Sequence, residues 1–150
     1  MILDGFKVDK TSKKMVEEAI AVLDKSFCPL SGWSVAAAVL AIDNQNKLHL
    51  FTGINLETSA GTSIIHAEQA AIAAAMTGEW ARITRVVVVS SHSSFKVGPR
   101  IINPCGTCLQ LIWELSRSYQ KDISVLVVDS KTGRLVKKSI STLLPHPCQF

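Results

Sequence analysis

Two short stretches, well separated in the chain, hold the residue types from which a metal-assisted hydrolysis is built. The first, "IIHAEQAAI" at residues 64–72, places His66 and Glu68 two apart at the head of an alanine-rich apolar run. The second, "NPCGTCLQL" at residues 103–111, places Cys105 and Cys108 three apart behind Pro104. Residues three apart on a helix share a face, and the partial positive charge of a helix N-terminus favours thiolate over thiol. Two convergent thiolates make half of a tetrahedral zinc site, although C-x-x-C also fits a buried thiol pair or a redox dithiol. His66 offers a third ligand; taken alone it also reads as a structural histidine, and Glu68 as an exposed first-turn acid. Three protein ligands leave zinc's fourth position for a water whose pKa falls toward about 7. A nearby carboxylate that is not a ligand can carry that water's proton. Positions i and i+2 diverge on a regular helix, so His66 and Glu68 serve one site only if the helix begins at His66.

Composition narrows the partners. The formal charge of +4 comes largely from Lys7, Lys10, Lys13, Lys14, Lys137 and Lys138, which read as solvated faces. A nucleic-acid binder would interleave aromatics in a dense basic stripe; this chain has none, so nucleic acid is not an expected partner. No apolar run reaches the roughly 18 residues of a membrane span, and "MILDGFKVDKTSKK" lacks the apolar core of a signal peptide. A cytoplasmic protein with no membrane partner is therefore expected. The length of 150 residues predicts one domain, residues 1–150, able to bury a hydrophobic core. Four cysteines in such a chain point to thiols or a metal rather than a disulfide framework. Cys28 and Cys148, each beside a proline, are expected to be buried and inert.

The elements that must position these residues follow from periodicity. Met15, Val16, Ala19, Ile20, Leu23 and Phe27 have helical spacing, predicting a helix over residues 12–27 that "CPLSG" breaks. "WSVAAAVLAI" and "LHLFTGI" read as strands joined by the turn "DNQNK". The loop "ETSAGTS" leads to a helix over residues 66–77, closed by Gly78. "RVVVVSS" is apolar on both faces and is expected to be central in its sheet. The loop "HSSFKVGPRIIN" follows, then a helix from Pro104 to Ser118, proline being tolerated in a first turn. "ISVLVVD", the turn "KTG" and a weaker strand "RLVKKSI" complete the order α-β-β-α-β-α-β-β. Strands alternating with helices predict an α/β sheet covered on both faces. Both chemical stretches open helices, and sites form where helix N-termini meet at strand ends.

H-x-E followed by P-C-x-x-C is the signature of zinc-dependent nucleobase deaminases, and His66, Glu68, Pro104, Cys105 and Cys108 match every defined position. Beyond that signature the chain resembles the cytidine deaminase family over most of its length. "PLSGWSVAAAVL" resembles P-Y-S-x-F-x-V-G-A-A, "GINLE" resembles G-x-N-x-E, "NPCGTCLQ" resembles S-P-C-G-x-C-R-Q, and "LLP" matches a further family mark. The resemblance implies a three-layer α/β/α sandwich around a mixed sheet of about five strands. It implies zinc held by His66, Cys105 and Cys108, with Glu68 as the catalytic proton carrier. It also implies that Asn55 and Glu57 grip the ribose 3′-hydroxyl, that Trp33 packs on the nucleoside where the family has Phe, and that the backbone at Ala67 and Cys105 reads the base edge. The implied reaction is hydrolytic deamination at C4 of cytosine, giving uridine and ammonia. A loop-facing strand end for Glu57 and a core residue for Trp33 are the plainer readings of those two positions.

Several positions depart from the family pattern. Many small members have cysteine at the position of His66, with arginine where this chain has Gln69. Three thiolates leave zinc net negative and favour a nearby arginine, whereas one histidine and two thiolates are neutral and tolerate glutamine. His66 with Gln69 thus resembles the longer two-lobed members, in a chain of one lobe's length. Leu109 stands in place of Arg, Gly61 in place of Tyr, and Cys148 in place of an aromatic, for which Phe150 could substitute. The tail and the loop before His66 are where neighbouring subunits complete the pocket in tetrameric members of the family; the resemblance implies a homotetramer, with a dimer as the alternative. Deaminases of the blasticidin type share the chemistry but lack the ribose glutamate, so Glu57 favours an ordinary nucleoside. A polynucleotide or tRNA editor shares the zinc signature but is disfavoured by N-x-E and the missing basic stripe. A zinc-stabilised binding module would have no use for Glu68.

Overall fold

Valine and alanine runs, apolar on alternate and on successive positions alike, build a sheet that is buried on both faces. The structure, a computed structural model, describes residues 8–60, 65–78, 80–92 and 103–148, with Trp80, Ala81 and His92 described by their backbone. Five strands, β1 (Trp33–Asp43), β2 (Leu48–Ile54), β3 (Trp80–His92), β4 (Ser124–Asp129) and β5 (Leu135–Ser139), lie in the order β2-β1-β3-β4-β5. The β3–β4 pair is parallel and the other pairs are antiparallel. The sheet is therefore mixed, and β3 is its central strand, as its two apolar faces predict.

The pleat sends alternate residues to opposite layers. Ala37, Val39, Ala41, Val86, Val88, Val125 and Val127 join one core, packed under α2 (Ala67–Met76) and α3 (Gly106–Tyr119). Ala36, Ala38, Leu40, Val87, Val89, Leu126 and Val128 join the other, packed under Met15, Val16 and Ala19 of α1 (Lys10–Val22). Helices on both faces make the expected three-layer α/β/α sandwich. Lys137 and Lys138 lie exposed on the edge strand β5, where lysine discourages edge pairing with another chain.

Gly53 sets how closely α2 approaches the sheet. A Cβ built there would lie 2.6 Å from the Ala67 carbonyl oxygen and 2.8 Å from the Ala70 Cβ. Only a bare backbone at this point of β2 lets the first turn of α2 lie against the strand.

Several elements differ from the sequence expectation, among them the first and third helices. The first helix begins at Lys10, not Ser12, because Asp9 caps it by accepting the Ser12 N–H at 2.9 Å. It ends in a 3-10 turn, Leu23–Lys25, and Phe27 instead pairs with Leu56 in an extended bridge. The third helix begins at Gly106 rather than Pro104, since Cys105 has extended backbone (φ −70°, ψ 168°) and is itself the N-cap. A short α4 (Ile140–Leu143), capped by Ser139, follows β5 and was not anticipated. The expected burial of Cys28 and Cys148 does not hold: Cys28 is half-buried, and Cys148 is exposed. Cys148 lies in a tail fastened to α3 by the Gln110 side chain, which accepts from the Cys148 N–H and donates to its carbonyl, both at 3.0 Å. Gly61 and Phe150 lie outside the described residues.

Candidate active site

One end of the strands collects the start of β1, the end of β2 and the N-termini of α2 and α3. His66 is the N-cap of α2, with extended backbone (φ −82°, ψ 148°), so its side chain departs before the helix begins. Gln69 fixes that entry by accepting the His66 N–H at 3.2 Å, half of a capping-box arrangement. Its tolerance beside a neutral ligand set is thus joined by a structural job. The placement also resolves the i, i+2 conflict: His66 sits just outside the helix and Glu68 within its first turn.

His66 Nδ1 lies 3.3 Å from Cys105 Sγ and 3.4 Å from Cys108 Sγ. The ligand atoms of these three residues all fall within 4.8 Å of one another. Tetrahedral zinc bonded at about 2.0 Å to nitrogen and 2.3 Å to sulfur separates such donors by about 3.6 Å. The donor set and its spacing therefore fit zinc. Cys105 is the N-cap of α3 and Cys108 lies in its first turn, where the helix dipole favours anions.

Glu68 is buried at 4 % exposure. Burial raises its carboxyl pKa, opposed by its own amide N–H, by His66 and by the Cys108 thiol. Cys108 is pushed well above the ordinary thiol range, first by burial, then by the Glu68 carboxyl and Cys105. Acidic groups crowded in this way are what a divalent cation relieves, since its charge inverts the local preference for protonation.

These groups border a cavity of about 320 Å³, a size suited to a small organic ligand. Every site residue expected from the sequence lines it except Cys108, which is buried behind the wall: Trp33, Asn55, Glu57, His66, Ala67, Glu68 and Cys105. Val35, Val88 and Asn103 complete the lining and were not anticipated. Asn103 adjoins the cysteine motif and Val35 shares a strand face with Trp33, signals that would have found both. A larger groove of about 600 Å³ between α1 and the β1–β2 hairpin mixes Lys10, Lys13 and Lys14 with Glu17 and Glu18, and holds none of these residues.

Asn55 and Glu57 hold the cavity wall as well as lining it. Asn55 Oδ1 accepts the Val35 N–H, and its Nδ2 donates to the Trp33 carbonyl, both at 2.9 Å. Glu57 Oε2 accepts the Leu30 and Ser31 N–H groups, each at 3.1 Å, and Oε1 accepts the Ser31 hydroxyl at 2.5 Å. That hydroxyl, foremost, and the two amides hold the Glu57 carboxyl below its usual range against the opposing effect of burial.

Comparison with known proteins agrees with this geometry. The sequence profile of the "Cytidine and deoxycytidylate deaminase zinc-binding region" matches residues 9–121. A cytidine deaminase of Sporosarcina psychrophila is 27% identical over 133 residues, covering 89% of this chain and 88% of the relative. The structure is similar to the cytidine deaminase of Burkholderia pseudomallei, with a TM-score of 0.69 and 25% identity over 94% of this chain and all (100%) of that one. The fold is also that of the Mycobacterium leprae cytidine deaminase, at TM-score 0.64 and 22% identity over 92% of this chain and 100% of that one.

Proposed function

The chain belongs to the cytidine and deoxycytidylate deaminase family, and from that premise we propose that it deaminates a cytosine nucleoside. Cytidine or deoxycytidine would yield uridine or deoxyuridine and ammonia, in pyrimidine salvage. The observation that carries this reading is the convergence of His66, Glu68 and Cys105 with Asn55 and Glu57 on one cavity.

His66, Cys105 and Cys108 would hold zinc, which supplies a Lewis acid and lowers the pKa of its water toward about 7. Glu68 takes a proton from the attacking water and delivers it to N3 of the ring. Once the C4–O bond has formed, Glu68 takes the remaining proton of that oxygen and passes it to the amine as the C4–N bond breaks, which leaves the C4 carbonyl and releases ammonia. Val35, Val88 and Trp33 give the base apolar walls and keep bulk water from the reacting centre. The amides of Ala67 and Cys105, at the starts of two helices, have no partner within their own helix and are available to the polar edge of the base. Asn55 and Glu57 face the sugar, and a buried acceptor penalises a ligand that leaves it unsatisfied.

No helix among the described residues is long and apolar enough to cross a membrane, and we read the protein as a cytosolic homotetramer. Phe27, Leu56 and Ile65, all exposed and joined by β-bridges, support association. Light scattering on the purified protein tests the assembly.

The function is tested by incubating zinc-loaded protein with cytidine, deoxycytidine, deoxycytidylate and blasticidin S and following ultraviolet absorbance. Turnover of cytidine or deoxycytidine is expected. Absence of turnover for both nucleosides overturns the reading, and turnover of blasticidin S alone replaces it with antibiotic deamination.

A further inference from the structure

We propose that Ser31 is a positioning residue: it holds the Glu57 carboxylate so that one acceptor site is left for one sugar hydroxyl. The proposal rests on the nucleoside reading above and concerns how the site selects its substrate. An ionised carboxylate offers about four acceptor sites. Among the described residues, the Leu30 and Ser31 amides take both sites on Oε2, and the Ser31 hydroxyl takes one on Oε1. The remaining site belongs to Oε1 of a residue that lines the cavity and is 8 % exposed. A carboxylate so held cannot rotate to meet a different donor without breaking three bonds.

The loop that does this is built for it. Gly32 has φ 68°, a left-handed conformation open to glycine, and its N–H closes the turn on the Cys28 carbonyl at 3.0 Å. Consecutive amides of that turn point at one anion, as in other backbone anion nests. Ser31 Oγ also accepts the Trp33 N–H at 3.0 Å, and the Trp33 carbonyl accepts from Asn55. Ser31 therefore closes a ring through Trp33, Asn55 and Glu57, three residues of the cavity wall. Losing its hydroxyl frees one bond to Glu57 and one to Trp33 at once.

The test measures kcat and KM for cytidine and 3′-deoxycytidine with the zinc-loaded parent, Ser31→Ala, Ser31→Cys and Ser31→Thr. The parent is expected to prefer cytidine. Ser31→Ala and Ser31→Cys should each shrink that preference roughly tenfold, the worth of one hydrogen bond to a charged group, through KM for cytidine with kcat nearly unchanged. Ser31→Thr, which keeps the hydroxyl, should restore the parent ratio. An active parent whose preference survives in whichever of Ser31→Ala and Ser31→Cys folds overturns the role of Ser31 alone. A parent inactive on both nucleosides overturns this role together with the deaminase reading.

Discussion

Glu68 is the residue on which the proposed chemistry turns, and its surroundings separate two roles. It is 4 % exposed, inside the first turn of α2, and close to both His66 and Cys108. Glu68→Gln keeps the volume of the side chain and removes its capacity to carry a proton. Turnover is expected to fall by a factor on the order of 10³, while zinc measured by atomic absorption stays at the parent level. Loss of zinc in step with activity would instead make Glu68 a support of the metal cluster. Asn55 poses the complementary case, because its amide is already committed to the protein. Asn55→Ala removes the acceptor of the Val35 N–H and the amide that donates to the Trp33 carbonyl. The cost is expected to be on the order of 2 kcal/mol, read as a lower urea midpoint at an unchanged m-value. A defect in cytidine KM without any loss of stability would show that Asn55 serves ligand more than fold.

At the scale of elements, the site depends on where two helices begin. α2 is seated by the bare backbone of Gly53, and its relief is blocked by backbone and Cβ atoms rather than by a flexible side chain. Gly53→Ala is therefore expected to cost about 1–3 kcal/mol by overpacking and to displace His66 and Glu68 together, lowering zinc content and kcat/KM. Gly106→Ala, where a Cβ meets nothing within 4 Å, is the control and should leave both unchanged. At the other face, Asp9 caps α1, and Arg85 of β3 donates to it at 2.9 Å. The Ser12 N–H, the Ser12 hydroxyl and Arg85 together depress the Asp9 carboxyl below its ordinary value of 3.8. A depressed folded pKa stabilises above the unfolded value and loses that contribution as pH falls through the folded one. Asp9→Ala is expected to cost about 1 kcal/mol at neutral pH, and the difference in Tm from the parent should narrow as pH drops below 3.8. A Tm gap that stays constant from neutral pH to strong acid would leave the cap without electrostatic weight.

For the whole molecule, what the sequence made legible was periodicity and fixed spacing. The layer order followed from strands alternating with helices, and the central place of β3 from valines on both of its faces. That His66, Glu68, Cys105 and Cys108 would come together was legible because the spacing is local within each motif. Contacts between distant positions were not: nothing near Ser31 or Glu57 announces a bond across 26 residues. The start of α3 was missed because a proline at a first helical position and one just before an N-cap look alike in sequence. The four residues of α4 are too few to show a period. The remaining consequence joins both kinds of information. The proposed zinc ligands come from the N-termini of α2 and α3, helices on one face of the sheet with β3 between them in the chain. Metal held there ties two elements together in the folded state, while the unfolded chain keeps the ligands far apart. Binding that favours the folded state adds about 1.4 kcal/mol for each tenfold rise in free metal above Kd. Tm is therefore expected to climb with the logarithm of buffered free zinc and to fall on chelation. Cys108→Ser, which weakens the buried ligand, should flatten that slope. A Tm indifferent to zinc in the parent would mean that the three residues do not hold the metal, whatever their spacing suggests.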